Sequence, residues 1–142
     1  MSASTKYISK IKRFSKGDRV WVQAQHIWLI LTAKIMMEKD DNDKKIVTIT
    51  YGELAERMGY TKQAGRTLAR ALGIVGKYCE ANDIPTINSI VVNQETGLPG
   101  DHVVTRKGYT YKQEQKACMK QDWFSLRVPT TGTFRTVWEL NK

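Results

Sequence analysis

Lys62, Arg66 and Arg70 stand at i, i+4 and i+8. On an α-helix this spacing drifts only about 40° per step, so the three cations line one face. Gln63 and Thr67 lie beside them and can donate or accept hydrogen bonds. A row of cations without acids suits a polyanion, because each Lys or Arg set at a phosphate displaces condensed counterions. The stretch 57–77 holds Arg57, Lys62, Arg66, Arg70 and Lys77 and no Asp or Glu. A merely solvated helix face usually mixes signs. Gly65 lies among these cations, where a missing side chain would let a phosphate backbone or a base come close.

Other chemistries are less well served. Glu95, Asp101 and His102, with Asn88 and Asn93 nearby, are the residue types of a small metal-dependent nuclease, but no standard metal-nuclease spacing is present. Cys79, Cys118, His26 and His102 do not fall at zinc-binding spacings. No phosphate-binding glycine loop follows a strand, and no Gly-x-Ser-x-Gly elbow occurs. No cofactor or metal is therefore expected.

The chain that must position these residues has 142 amino acids, with 23 Lys and Arg against 14 Asp and Glu, a net charge of +9. That length suits one domain with a real core. Mean hydropathy is low at −0.46, yet four Trp and six Tyr argue against disorder. No apolar run approaches the ~18 residues of a membrane span. The basic N-terminus lacks the apolar stretch of a secretory signal. A cytoplasmic, nucleoid-associated protein is expected. The charge is blocked: 1–20 and 105–120 are basic like 57–77, whereas 80–101 holds Glu80, Asp83, Glu95 and Asp101 and no cation.

Hydrophobic periodicity places the elements. Residues 1–17 read as a basic arm. Asp18 stands at an N-cap position, and Val20, Trp21, Ala24, Ile27, Trp28, Leu31 and Ile35 predict an amphipathic helix over 19–38. Residues 38–45 form a polar loop, followed by a short apolar strand from Ile46 to Ile49. Thr50 and Glu53 have the spacing of a capping box, and Gly59 that of a C-terminal glycine. Thr61 then caps a longer helix from Lys62 to about Glu80, with Cys79 on its apolar side as a core residue. A short helix, a turn and a long helix over 50–80 make a helix-turn-helix unit. Residues 84–105 read as a wing, with Asn93 to Thr96 at its tip. A polar helix is expected around Lys112–Lys120. Trp123–Val128 and Thr133–Trp138 read as two strands joined by Pro129–Gly132.

Thr50-Tyr51-Gly52-Glu53-Leu54-Ala55, Gly59, Ala64-Gly65-Arg66, Arg70-Ala71-Leu72, Ile84-Pro85, Val91-Val92 and the glycine-rich turn 97–100 together resemble the C-terminal DNA-binding domain of alkylguanine-DNA alkyltransferases and the alkyltransferase-like proteins. The resemblance covers residues 46–100, well under half the chain. It implies a winged helix-turn-helix, with Tyr51 pressing on a phosphate to rotate a nucleotide outward and Arg66 filling the vacated space. The family's acceptor lies in a Pro-Cys-His-Arg motif. Here Pro85-Thr86-Ile87-Asn88-Ser89 stands in its place, with neither thiol nor imidazole, so alkyl transfer is not expected.

The expected fold is α+β and mainly α: a winged helix-turn-helix core, a basic N-terminal arm (1–17) and a C-terminal β-hairpin, with 18–142 as one domain. The expected function is non-catalytic binding of double-stranded DNA as a small regulator or a reader of a modified or flipped base. Tyr51, Lys62, Gln63, Arg66, Thr67, Arg70 and Asn93 would meet the duplex, and Lys112 and Lys116 would add phosphate contacts. The alternatives are a small metal-dependent endonuclease using the Glu95–His102 region and a protein-binding adaptor. Oligomeric state is left open, a homodimer included.

Overall fold

The computed structural model describes residues 10–42, 44–101 and 103–142. Five α-helices dominate them: α1 (Arg19–Glu38), α2 (Tyr51–Arg57), α3 (Ala69–Ala81), α4 (Tyr111–Lys120) and α5 (Thr131–Leu140). A longer 3-10 segment, Lys62–Leu68, leads into α3, and shorter ones occupy Lys16–Asp18, Ile87–Ile90 and Trp123–Ser125. Two short strands, β1 (Ile49–Thr50) and β2 (Val91–Val92), pair in parallel, with Ile49 opposite Val91 and Thr50 opposite Val92.

The predicted first helix matches α1, whose Ala24, Ile27, Trp28, Leu31 and Ile35 are buried. Four side-chain positions per two turns suffice to seat it centrally, against α3 on one side and α5 on another. Trp28 meets Tyr78 of α3 and Trp123 edge-on at 5.6 and 5.5 Å, a preferred arrangement of aromatic quadrupoles. The Trp123 indole N–H donates to the carbonyl of Cys118 at 2.9 Å, so the buried ring carries no unpaired donor.

α2 starts and stops where its caps dictate. The Thr50 hydroxyl accepts from the Glu53 amide at 3.1 Å, a cap worth about 1 kcal/mol. Glu53 does not reach back to complete the box; its carboxylate faces Arg57 and Lys34. At the other end Gly59 takes φ +88°, its amide donates to Glu56 O, and Tyr60 N donates to Ala55 O. This left-handed exit closes α2 and turns the chain toward Thr61.

The next predicted helix is divided. Residues 62–68 wind as a 3-10 helix, and α geometry begins only at Ala69. Gly65 favours helix weakly, and the Thr67 hydroxyl bonds the Ala64 carbonyl at 2.6 Å, competing with the α ladder. Gly65 also lies against the Tyr51 backbone, where an added Cβ would stand 2.9 Å from the carbonyl carbon. The glycine thus serves close packing of the Lys62–Leu68 segment on α2.

Two further expectations are overturned. Among the described residues of 84–105 there is no wing: Val91 and Val92 are buried and pair in parallel with β1, while 103–105 are in no strand. A parallel pair needs a long crossover, and α2, the 3-10 segment and α3 supply it. The C-terminal β-hairpin is instead the Trp123–Ser125 turn followed by α5. Thr130 caps α5 by accepting from Thr133 N at 3.1 Å. Phe134, Val137 and Trp138 then fall at i, i+3 and i+4 and pack on the core. Their β-branched and aromatic character favoured strand, but burial against α1 and α3 decides.

Candidate nucleic-acid interface

An open hollow of about 680 Å³ lies between the start of α2, the Lys62–Leu68 segment and the turn after β2. Tyr51, Lys62, Gln63, Gly65, Arg66 and Asn93 line it together with Gln94 and the two acids Glu53 and Glu56. Lys62, Gln63 and Arg66 are exposed, and among the described residues neither Lys62 nor Arg66 has an ion-pair partner. The other cations nearby are compensated: Arg57 bonds Glu53 at 3.1 Å and Lys77 bonds Glu80 at 3.4 Å.

The 3-10 winding changes which residues stand in line. With three residues per turn, Gln63 and Arg66 share a face, and Lys62 is displaced from Arg66 by about a third of a turn. Arg70 leaves the row. It lies beyond the α-helical start and places its guanidinium over the Trp138 ring of α5, 5.3 Å from the centroid. Trp138 itself tilts against Trp21 of α1 at 6.3 Å. Thr67 is exposed, but its hydroxyl is engaged by Ala64. The structure therefore gathers Tyr51, Lys62, Gln63, Arg66 and Asn93 in one hollow and sets Thr67 and Arg70 outside it.

Tyr51 stands between this hollow and a recess of about 180 Å³ lined by Ala69, Leu72, Gly73, Asn88, Gly100 and Val103. Its hydroxyl accepts from the Gly100 amide at 3.0 Å, which leaves its own proton free to donate. Asn88 is 6% exposed. Its Nδ2 donates to Val104 O at 3.3 Å, while its Oδ1 has no hydrogen-bond partner among the described residues.

Residues 85–89 are internal wiring. Thr86 Oγ1 donates to Glu114 Oε2 at 2.8 Å, and Gln115 Nε2 donates to Ser89 O at 2.9 Å. Arg106 Nη2 meets Glu114 Oε1 at 2.8 Å, and the Arg106 amide donates to Glu114 Oε2. Burial by itself raises the Glu114 carboxyl, but the Arg106 side chain, the Arg106 amide and Thr86 outweigh it and hold it below its ordinary range. Arg106 also stacks on Tyr109, 3.9 Å from the centroid. Sequence reasoning missed this network, since Arg106 comes from an irregular segment and no local spacing links it to Thr86.

Cys79 and Cys118 are both free and fully buried. Burial pushes the Cys79 thiol up to about 12 and the Cys118 thiol well above the usual range. Glu95 and Asp101 are exposed, and His102 lies outside the described residues. Among the described residues no three His, Cys, Asp or Glu side chains stand together as metal ligands. Within the same residues no helix is long and apolar enough to cross a membrane. Of the basic arm, Lys10, Lys12, Arg13 and Lys16 are exposed, and Lys6 lies outside the described residues. Lys112 and Lys116 sit on α4, apart from the hollow. Comparison of the chain with family models, with curated proteins and with solved structures finds no match in any of the three.

Proposed function

We propose that the protein binds double-stranded DNA without catalysing a reaction, through the hollow at the junction of α2 and the Lys62–Leu68 segment. The observation that carries this reading is the pair Lys62 and Arg66, exposed on one hollow and, among the described residues, in no ion pair although Glu53 and Glu56 share its lining, while Arg57 and Lys77 are paired. Uncompensated cations are those that exchange condensed counterions for phosphates. Gln63 and Asn93 add amides able to pair with base edges or phosphate oxygens. The free proton of Tyr51 can be donated to a phosphate.

A finer form of this reading follows the resemblance to alkyltransferase-like proteins: recognition of a modified or extrahelical base. The recess behind Tyr51, which Asn88 helps to line, supports it. Fluorescence anisotropy against plain, mismatched and base-modified duplexes tests both forms. Binding of plain duplex whose log affinity falls linearly with log salt supports the general reading, and tighter binding of a modified duplex supports the finer one. Affinity that ignores salt overturns both.

A further inference from the structure

α4 presents Lys112, Lys116 and Lys120 on three successive turns, and its other exposed position is the uncharged Gln113. The only acid of the helix, Glu114, is buried and held by Arg106. Among the described residues none of the three lysines has an ion-pair partner. At 1.5 Å per residue the ridge runs about 12 Å, long enough to meet more than one phosphate of a duplex that carries a charge about every 3.4 Å of axis on each strand.

The ridge does not belong to the hollow. α4 turns Glu114, Gln115, Cys118 and Met119 inward. Its inner face lies on the segment Ile87–Ile90, all four residues of which are buried. α3 packs on that same segment. The lysines stand on the opposite side of α4 from the segment that separates it from α3. A protein partner would need apolar or aromatic anchors, and the exposed positions of α4 offer only Lys and Gln. Phosphates need only the charges.

We propose that α4 is a second duplex-binding surface, so that one chain holds two separate segments of DNA and joins them. This rests on the reading of the hollow as a duplex site. Two measurements test it: the stoichiometry of a short hairpin duplex of one helical turn at low salt, and capture of a labelled duplex onto a bead-bound one. The wild-type chain is expected to bind two hairpins and to capture the labelled duplex. The triple variant Lys112→Glu/Lys116→Glu/Lys120→Glu is expected to bind one hairpin, with affinity at the remaining site within about twofold, and to lose capture. The milder set Lys112→Gln/Lys116→Gln/Lys120→Gln, with an unchanged melting temperature, should do the same. One hairpin per wild-type chain, capture retained by either variant, or a loss of all hairpin binding in the variants overturns the proposal. If the wild-type chain binds no hairpin, the reading of the hollow fails with it; if it binds one, only the bridging fails.

Discussion

Arg106 and Glu114 form an ion pair at 2.8 Å in which the carboxylate has no exposure to solvent and the guanidinium side chain keeps 11%. The pair ties an irregular segment to α4, and Thr86 brings the 85–89 stretch to the same carboxylate. Removing one partner strands the other charge, a loss of about 3 kcal/mol. Arg106→Ala and Glu114→Ala should each lower the melting temperature by roughly 10 °C in a domain of this size. Calorimetry measures it, and an unchanged melting temperature would show that the pair contributes no net stability.

The same carboxyl sets an acid limit. Its folded value lies below its unfolded one, so its stabilisation is complete above the unfolded value, about 4.3. That contribution disappears as pH falls through the depressed folded value. In a series from pH 7 to pH 3, urea midpoints should therefore hold steady on this account down to about pH 4.5 and fall below it. Glu114→Gln should be less stable at neutral pH and lose less on acidification.

On the DNA side, Arg66→Ala and Lys62→Ala should each weaken plain duplex binding about five- to tenfold and reduce the salt slope by about one. Lys77→Ala, whose charge already meets Glu80, should change neither by a comparable amount. Anisotropy over a salt series decides. Equal losses at Lys77 would place the contact surface elsewhere.

Gly65→Ala puts a methyl group 2.9 Å from the Tyr51 carbonyl carbon and oxygen, both backbone atoms that cannot swing aside. Overpacking of this kind costs about 1–3 kcal/mol. The variant should melt lower and, because Tyr51 and Arg66 share the disturbed wall, bind duplex more weakly. Gly73→Ala, with open space at its Cβ position, is the control.

The two thiols should be silent. Cys79 and Cys118 are buried and held protonated. A thiol-reactive dye at pH 8 should label native protein only at the rate of unfolding, and both residues at once in denaturant. Rapid labelling of either in the native state would refute their placement in the core.

The helices that bury one clear stripe were legible in the sequence. α1 and α2 were readable from periodicity and from the Thr50 and Gly59 caps, because those signals act within a few residues. α5 was not, because Thr133, Val137 and Trp138 prefer strand locally and only contact with α1 and α3 makes them helical. The wing failed for a similar reason: Val91 and Val92 look like any short strand, and their parallel partner lies far away in sequence. Lys62, Gln63 and Arg66 were named from type and spacing, Tyr51 from the family resemblance and Asn93 as part of a wing that does not form; the structure sets all five in one hollow. The departure of Arg70 toward Trp138 depended on a 3-10 segment and on a helix the sequence had hidden.

The ribbon of Ile49–Thr50 on Val91–Val92 acts as a clasp with two rungs, fastening the ends of the helical excursion between them. Closing a span of that length costs about 3 kcal/mol of chain entropy, recovered only when both valines are in place. During synthesis α2 and α3 therefore emerge unfastened. A chain cut between residues 81 and 91 would keep every cationic side chain of the hollow and lose the buckle beneath it.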